Sequence, residues 1–185
     1  DQILIRELNE EILKLKSIIT WVNKEEFSES VITKVGQKAL SNPLFYHDFE
    51  EKFRGTRNDI KERLLIYIPI IDELFGEWNN KKFVDIGCGR GEWLDILKEK
   101  GVTDYIGVDL NDLQLNICNE HGHKTINDDC LEYIQKLPDE SIDMISGFHI
   151  IEHLSIERLL ALLNECNRVL KKGGRLILST PNILN

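Results

Sequence analysis

Hydrophobic positions along the chain follow two different periods. Over residues 1–25, Ile5, Leu8, Ile12, Leu15, Ile19 and Val22 recur at gaps of three and four, which draws one apolar stripe on a helix. The stripe fits roughly three heptads, so the segment predicts an amphipathic or coiled-coil helix. Two uses stay open for it: docking on its own domain, or forming a homo-oligomer or a bundle within a larger fusion. A polar stretch from Asn23 to Ser30 reads as a linker. The stretch from Ser41 to Arg57 is dense in aromatics and punctuated by Pro43 and Gly55; its Phe45, Tyr46, Phe49 and Phe53 suit the core of a helical lid. A further helix is expected from about Arg57 to Phe75, with Ile60, Leu64, Tyr67, Ile68 and Ile71 inward and a kink or break at Pro69.

From Lys82 the period changes. The short runs Phe83–Ile86, Tyr105–Asp109, Lys124–Ile126, Ile142–Ser146 and Arg175–Ser179 read as strands. Helical patterns lie between them at Glu92–Lys100, Leu113–Glu120, Cys130–Lys136 and Ser155–Leu170. Strands separated by helices imply a parallel sheet with right-handed crossovers. The predicted fold class is therefore α/β: a Rossmann-like, doubly wound, mostly parallel sheet with an N-terminal helical extension. Three segments are expected: the amphipathic helix 1–25, a helical cap and lead-in 26–80, and a ligand-binding core 81–185. The chain starts without Met and stops just after the fifth strand signal, which predicts a piece of a longer protein.

Composition adds exclusions. Hydrophobic residues make up 42% and charged residues 30%, enough apolar material for a packed core. With 23 Lys+Arg against 32 Asp+Glu the net charge is −9, which argues against a nucleic-acid partner bound through a broad phosphate-neutralising surface. No run approaches the roughly 20 apolar residues of a membrane span, and the N-terminus carries no signal-peptide apolar region. Cys88, Cys118, Cys130 and Cys166 lie far apart with no C-x-x-C pair, so they read as reduced thiols and predict a cytoplasmic protein.

Candidate chemistry concentrates in Val84-Asp-Ile-Gly-Cys-Gly-Arg-Gly-Glu-Trp-Leu, where the first strand turns into a helix. Gly87, Gly89 and Gly91 admit positive φ and let a ligand approach the backbone. Such a turn lies beside the switch point at which open α/β sheets bind ligands. A dinucleotide fingerprint needs Gly or Ala where Glu92 stands, and a carboxylate there repels pyrophosphate, so an NAD-dependent oxidoreductase is disfavoured. Asp109 ends the second strand, where an acid accepts hydrogen bonds from ribose hydroxyls; its alternative is a helix cap. Asp128 and Asp129 follow the third strand, with the same alternative for Asp129. Acids around a glycine loop suit a ligand with a ribose, an amino group and positive charge but no phosphates.

These segments resemble the class I S-adenosylmethionine-dependent methyltransferases. Val-Asp-Ile-Gly-Cys-Gly-Arg-Gly (84–91) matches their first motif and Gly-Val-Asp-Leu (107–110) their second. Asp-Asp-Cys-Leu (128–131), Ile142 to Leu154, and Leu170 to Asn182 follow in the family's order. The resemblance implies S-adenosyl-L-methionine as cofactor. It assigns Asp85 and the loop residues Gly87, Cys88, Gly89 and Gly91 to the methionine portion, and Asp109 to the ribose. It assigns Leu110 to the adenine face, and Asp129 with Cys130 to the adenine edge. It also implies two strands beyond the fifth, which this sequence lacks; their loss exposes a sheet edge and removes part of the acceptor wall.

Methyl transfer from a sulfonium needs positioning and desolvation, and an alcohol acceptor also needs a base. His149, Glu152 and His153 follow the fourth strand, and His153, then His149, are the candidate catalytic residues. The alternative for His153 is a helix-opening residue that shapes the pocket. The run His149-x-x-Glu152-His153 is similar to the metal-binding segment of small-RNA 2′-O-methyltransferases, but without an identifiable fourth ligand no metal is assigned. The lead-in Tyr46 to Arg63 resembles methyltransferases of bacterial surface-polysaccharide gene clusters. That resemblance implies a sugar or polysaccharide acceptor, O-methylated during lipopolysaccharide O-antigen or capsule assembly. Arg54 or Arg57 is expected to clamp the methionine carboxylate or a sugar phosphate, unless each pairs with neighbouring acids. Rival readings are a phenol- or quinone-type O-methyltransferase and a non-catalytic scaffold with this fold.

Overall fold

The computed structural model describes residues 55–180. The predicted helix over 1–25, the linker, the aromatic segment and Arg54 lie outside the described residues.

Five strands, β1 (Lys82–Ile86), β2 (Asp104–Asp109), β3 (Thr125–Asn127), β4 (Ile142–Phe148) and β5 (Leu170–Ser179), form a wholly parallel sheet in the order β3-β2-β1-β4-β5. The helices are α1 (Arg57–Leu64), α2 (Ile68–Phe75), α3 (Glu92–Glu99), α4 (Asp112–Glu120), α5 (Cys130–Gln135) and α6 (Ile156–Val169). The chain winds outward from β1 to β3, then crosses back to add β4 and β5 on the other side of β1. This reversal opens a crevice at the carboxyl ends of the central strands. No helix among the described residues is long and apolar enough to cross a membrane.

Alternation along the strands supplies two cores. Phe83 and Met144 face one side, where they bury Leu64, Ile71, Trp78, Trp93 and Leu97. Val84, Ile86, Ile142 and Ile145 face the other, against Ile134, Leu162, Cys166 and Val169. The α1–α2 lead-in and the sheet thus share one apolar cluster.

Of the two outcomes foreseen at Pro69, a kink or a break, the lead-in takes the break. After Leu64 the chain tightens into a 3-10 turn over Leu65–Tyr67, and α2 restarts with Pro69 in its first turn. Pro69 has no N–H to offer Leu65 and its ring would clash with that carbonyl, while the first turn of a helix tolerates it. The inward positions match expectation: Leu64 and Ile71 are buried, and Ile60, Tyr67 and Ile68 pack beside them.

β5 starts earlier than its sequence signal. Ile142 pairs with Leu170 but Met144 pairs with Arg175, so Lys171 to Gly174 form a bulge, with Gly173 at φ +80°. The Lys-Lys-Gly-Gly run, expected only to lead into the strand, is part of it because a bulge tolerates such residues.

Candidate active site

The turn from β1 into α3 is the floor of the crevice. Gly91 caps α3 at φ +82°, and a Cβ there would lie 2.8 Å from Cys118 Sγ, so only glycine serves. A Cβ on Gly87 would lie 2.8 Å from Ile150 Cδ1, which shows how tightly the loop after β4 closes on the glycine loop. The N–H groups of Gly87 and Cys88 both donate to Val108 O, at 2.7 and 3.1 Å, and stitch the loop to β2.

Asp109 joins the next two elements. Its Oδ2 accepts from Gly89 N at 2.9 Å and its Oδ1 from Asn111 N at 2.9 Å. The capping role belongs instead to Asn111, whose side chain accepts from Leu113 N at 3.0 Å. Beside Asp109, Leu110 stands 65% exposed, an apolar side chain left in the open at the strand end.

Asp85 lies deeper. Its parallel register against Ser146 sets the two side by side on one face, and Ser146 Oγ donates to Asp85 Oδ1 at 2.7 Å. Burial pushes the Asp85 carboxyl up to about 8, against the pull of the Ser146 hydrogen bond, with the charges of Asp109 and Glu92 adding to the rise.

Asp129 takes the alternative duty foreseen for it: Oδ1 accepts from Leu131 N at 3.0 Å and Glu132 N at 3.3 Å, and lies 2.6 Å from Arg158 Nη2. Cys130 turns its thiol into the core with Cys166, and burial pushes that thiol up, so it offers a ligand only its backbone. The Cys88 thiol is likewise buried and pushed up, chiefly by its hydrogen bond with Cys118.

The residues after β4 face outward. His149 has the left-handed φ of +58°, unusual for a side-chain-bearing residue, and its N–H donates to Ser179 O at 2.8 Å. Its Nδ1 lies 3.5 Å from Glu152 Oε1, and Glu152 and His153 sit in an exposed 3-10 turn over Ile151–His153. Among the described residues no group of three or more His, Cys, Asp or Glu side chains could hold a metal ion.

Arg57 takes the alternative foreseen for it, and Arg90 has a buried partner of its own. Arg57 pairs with Asp95, Nη2 to Oδ2 at 2.8 Å, and so does not clamp a ligand anion. Arg90 is buried and bonds Glu92 Oε1 at 2.7 Å. Glu92 therefore turns inward, neutralised, and its repulsion of a pyrophosphate is not the operative argument. Both arginines beside the loop are spent on Glu92 and Asp95, while Asp109 stands at the strand end and Asp85 lies buried beneath the loop. A carboxylate at the strand end with no free arginine beside the loop favours a cationic, hydroxyl-bearing ligand over a phosphate.

Sequence reasoning missed Ser146, Asp95, His123 and Tyr105. Period-two alternation would have placed Ser146 on the face of Asp85; the others meet only through tertiary packing.

Comparison with known proteins agrees with this fold. The family model described as "Methyltransferase domain" matches residues 84–178. A ubiquinone biosynthesis O-methyltransferase of Aliivibrio fischeri (strain ATCC 700601 / ES114) is 28% identical over 142 residues, covering 73% of this chain and 57% of that protein. One of Idiomarina loihiensis is 32% identical over 117 residues, covering 60% of this chain and 45% of that protein. The chain thus spans about half the length of these curated relatives. The crystal structure of a SAM dependent methyltransferase from Archaeoglobus fulgidus superposes with a TM-score of 0.65 at 40% identity, over 75% of this chain and 59% of that one. The matched span holds the whole sheet from the glycine loop into β5, and the chain belongs to the S-adenosylmethionine-dependent methyltransferase domain family.

Proposed function

We propose that this chain binds S-adenosylmethionine along the carboxyl ends of β1, β2 and β3 and transfers its methyl group to a hydroxyl oxygen, with a sugar of a bacterial surface polysaccharide as acceptor. The observation that carries the cofactor reading is Asp109, held by Gly89 N and Asn111 N beside the exposed Leu110 at the end of β2. Asp109 accepts the ribose hydroxyls, Leu110 covers one adenine face, and the backbone N–H of Cys130 with Asp129 meets the adenine edge. Asp85 and the loop residues Gly87 to Gly91 receive the methionine portion, and Asp85 ionises when an ammonium offsets its burial.

Bound S-adenosylmethionine supplies an activated methyl group on a sulfonium. With S-adenosylhomocysteine as the leaving group of such a transfer, an imidazole nitrogen of His153 or His149 would take the proton that the acceptor hydroxyl gives up. Glu152, 3.5 Å from His149 Nδ1, is near enough to favour the charged imidazolium that proton transfer creates. A polar acceptor is favoured because His149, Glu152 and His153 give the mouth beside the glycine loop a polar, exposed rim. The free, buried thiols of Cys88, Cys118, Cys130 and Cys166 agree with a cytoplasmic location.

A second reading, a phenol- or quinone-type acceptor, is favoured by the relatives named as ubiquinone biosynthesis O-methyltransferases. Calorimetric titration with S-adenosylmethionine, S-adenosylhomocysteine and NAD in parallel tests the cofactor. Saturable binding of the first two without the third is expected, and NAD binding alone would overturn it. Transfer of labelled methyl to sugar or to catechol acceptors then separates the two readings. His153→Ala should lower turnover about a hundredfold with cofactor affinity intact. Unchanged turnover moves the base to His149.

A further inference from the structure

The glycine loop is gripped by an arginine whose guanidinium is committed to protein acceptors. Arg57, the first residue of α1, donates from Nη1 to Arg90 O, and from Nη2 to Gly91 O at 3.2 Å. Its Nε donates to Asp95 Oδ2 at 2.9 Å. The other Asp95 oxygen lies 2.9 Å from His123 Nε2, and His123 Nδ1 meets the Tyr105 hydroxyl at 2.9 Å. The His123 side chain is wholly buried, and burial holds its imidazole below the usual range. A neutral ring that donates from Nε2 to Asp95 and accepts at Nδ1 from Tyr105 satisfies every contact, with the tautomer assigned from this network. The relay joins β2, the turn before β3, α3 and α1, and it ends on two loop carbonyls.

Those carbonyls matter because peptide units are planar. Fixing Arg90 O fixes the direction of Gly91 N–H, and fixing Gly91 O fixes Glu92 N–H, the first amide of α3. A segment whose residues 87, 89 and 91 are all left-handed glycines has much backbone freedom to lose, so an external fork on its far end narrows the loop to one shape.

We propose that Arg57 is a positioning residue for the cofactor loop, oriented through Asp95 by His123 and Tyr105, so that cofactor affinity depends on a residue that never touches the cofactor. This rests on the cofactor reading above. The fold supplies its own control. Lys61 pairs with Glu99 and joins the same two helices, α1 and α3, without touching a loop atom.

The test compares Arg57→Ala, Arg57→Lys and Lys61→Ala in the full 185-residue chain. Titration with S-adenosylhomocysteine measures affinity, and amide hydrogen exchange of the peptide spanning Cys88–Glu92 is followed without ligand. Arg57→Ala is expected to weaken binding by about tenfold or more and to speed exchange in that peptide, while Lys61→Ala stays within about twofold on both readouts. Equal effects of the two variants, or no effect of Arg57→Ala, would overturn the proposal. Arg57→Lys keeps the charge on Asp95 but cannot span both carbonyls, so it should fall between. Should Arg57→Ala fail to fold, wild-type affinity and exchange in Arg57→Lys would overturn the proposal instead. Absence of cofactor binding in the wild type would sink the cofactor reading alone, and the exchange comparison would still decide the role of Arg57.

Discussion

Asp85 and Ser146 meet because parallel register sets them side by side, and their position under the glycine loop gives the carboxyl an unusual proton balance. In the folded chain it titrates at about 8, against roughly 4 for an unfolded aspartate. Below about pH 4 both states are protonated and the group is neutral to stability. Between those values the unfolded chain releases the proton and the folded chain keeps it, so stability falls as pH rises; above about pH 8 the deficit is constant. Asp85→Asn keeps an acceptor for Ser146 and cannot ionise. It should match the wild type near pH 4.5 and exceed it by a few kcal/mol at pH 9, read by urea unfolding without ligand. A difference that does not change with pH would show that the buried carboxyl is not the group responsible. Gly91 gives the steric counterpart: Gly91→Ala forces a Cβ toward Cys118 Sγ at 2.8 Å with φ at +82° and should cost about 1–3 kcal/mol in the same assay.

Helix α1 shows how an element carries its residues to the site. Thr56 caps it with a reciprocal pair of bonds: its hydroxyl accepts from Asp59 N at 3.2 Å, and Asp59 Oδ2 accepts from Thr56 N at 2.9 Å. Arg57 follows the cap directly, and Gly55 O before it accepts from Arg90 Nη2 at 3.2 Å. The cap therefore sets the angle at which the arginine reaches the loop. Thr56→Ala should cost about 1 kcal/mol of stability, and a cost indistinguishable from zero in urea unfolding would show that packing alone holds this helix start. Elements with a strong period were legible in the sequence. All five strands and the four helices between them were expected within a few residues, because apolar alternation and glycine or capping punctuation mark their ends. The break before α2 was legible too, because Pro69 marks it, whereas the Lys171–Gly174 bulge was not, since it depends on pairing with a distant strand. The site divides in the same way. Asp85, Asp109 and the glycines sit at strand ends and can be read from order alone. Contacts such as His123 with Asp95 span 28 residues and exist only once helices pack.

At the scale of the whole molecule, the glycine loop, Asp109 and the α4 start form one bonded unit, and a ligand seated there must stabilise the entire fold. A ligand that binds only the native state adds RT ln(1 + [L]/Kd), about 2.7 kcal/mol at a hundredfold excess over Kd. For a chain of this size that corresponds to a rise of roughly 5–11 °C in Tm. S-adenosylhomocysteine should therefore raise the Tm of the wild type in a concentration-dependent way. In Asp109→Asn one N–H of Gly89 or Asn111 would face an amide nitrogen instead of an oxygen, so the variant loses about 1–3 kcal/mol before any ligand is added. The diagnostic quantity is the ligand-induced increment, not the starting Tm. It should vanish in Asp109→Asn at concentrations that saturate the wild type and persist in Lys61→Ala, whose ion pair lies away from the loop. An increment preserved in Asp109→Asn would remove this carboxylate from the ribose and leave it the structural duty of tying the glycine loop to α4.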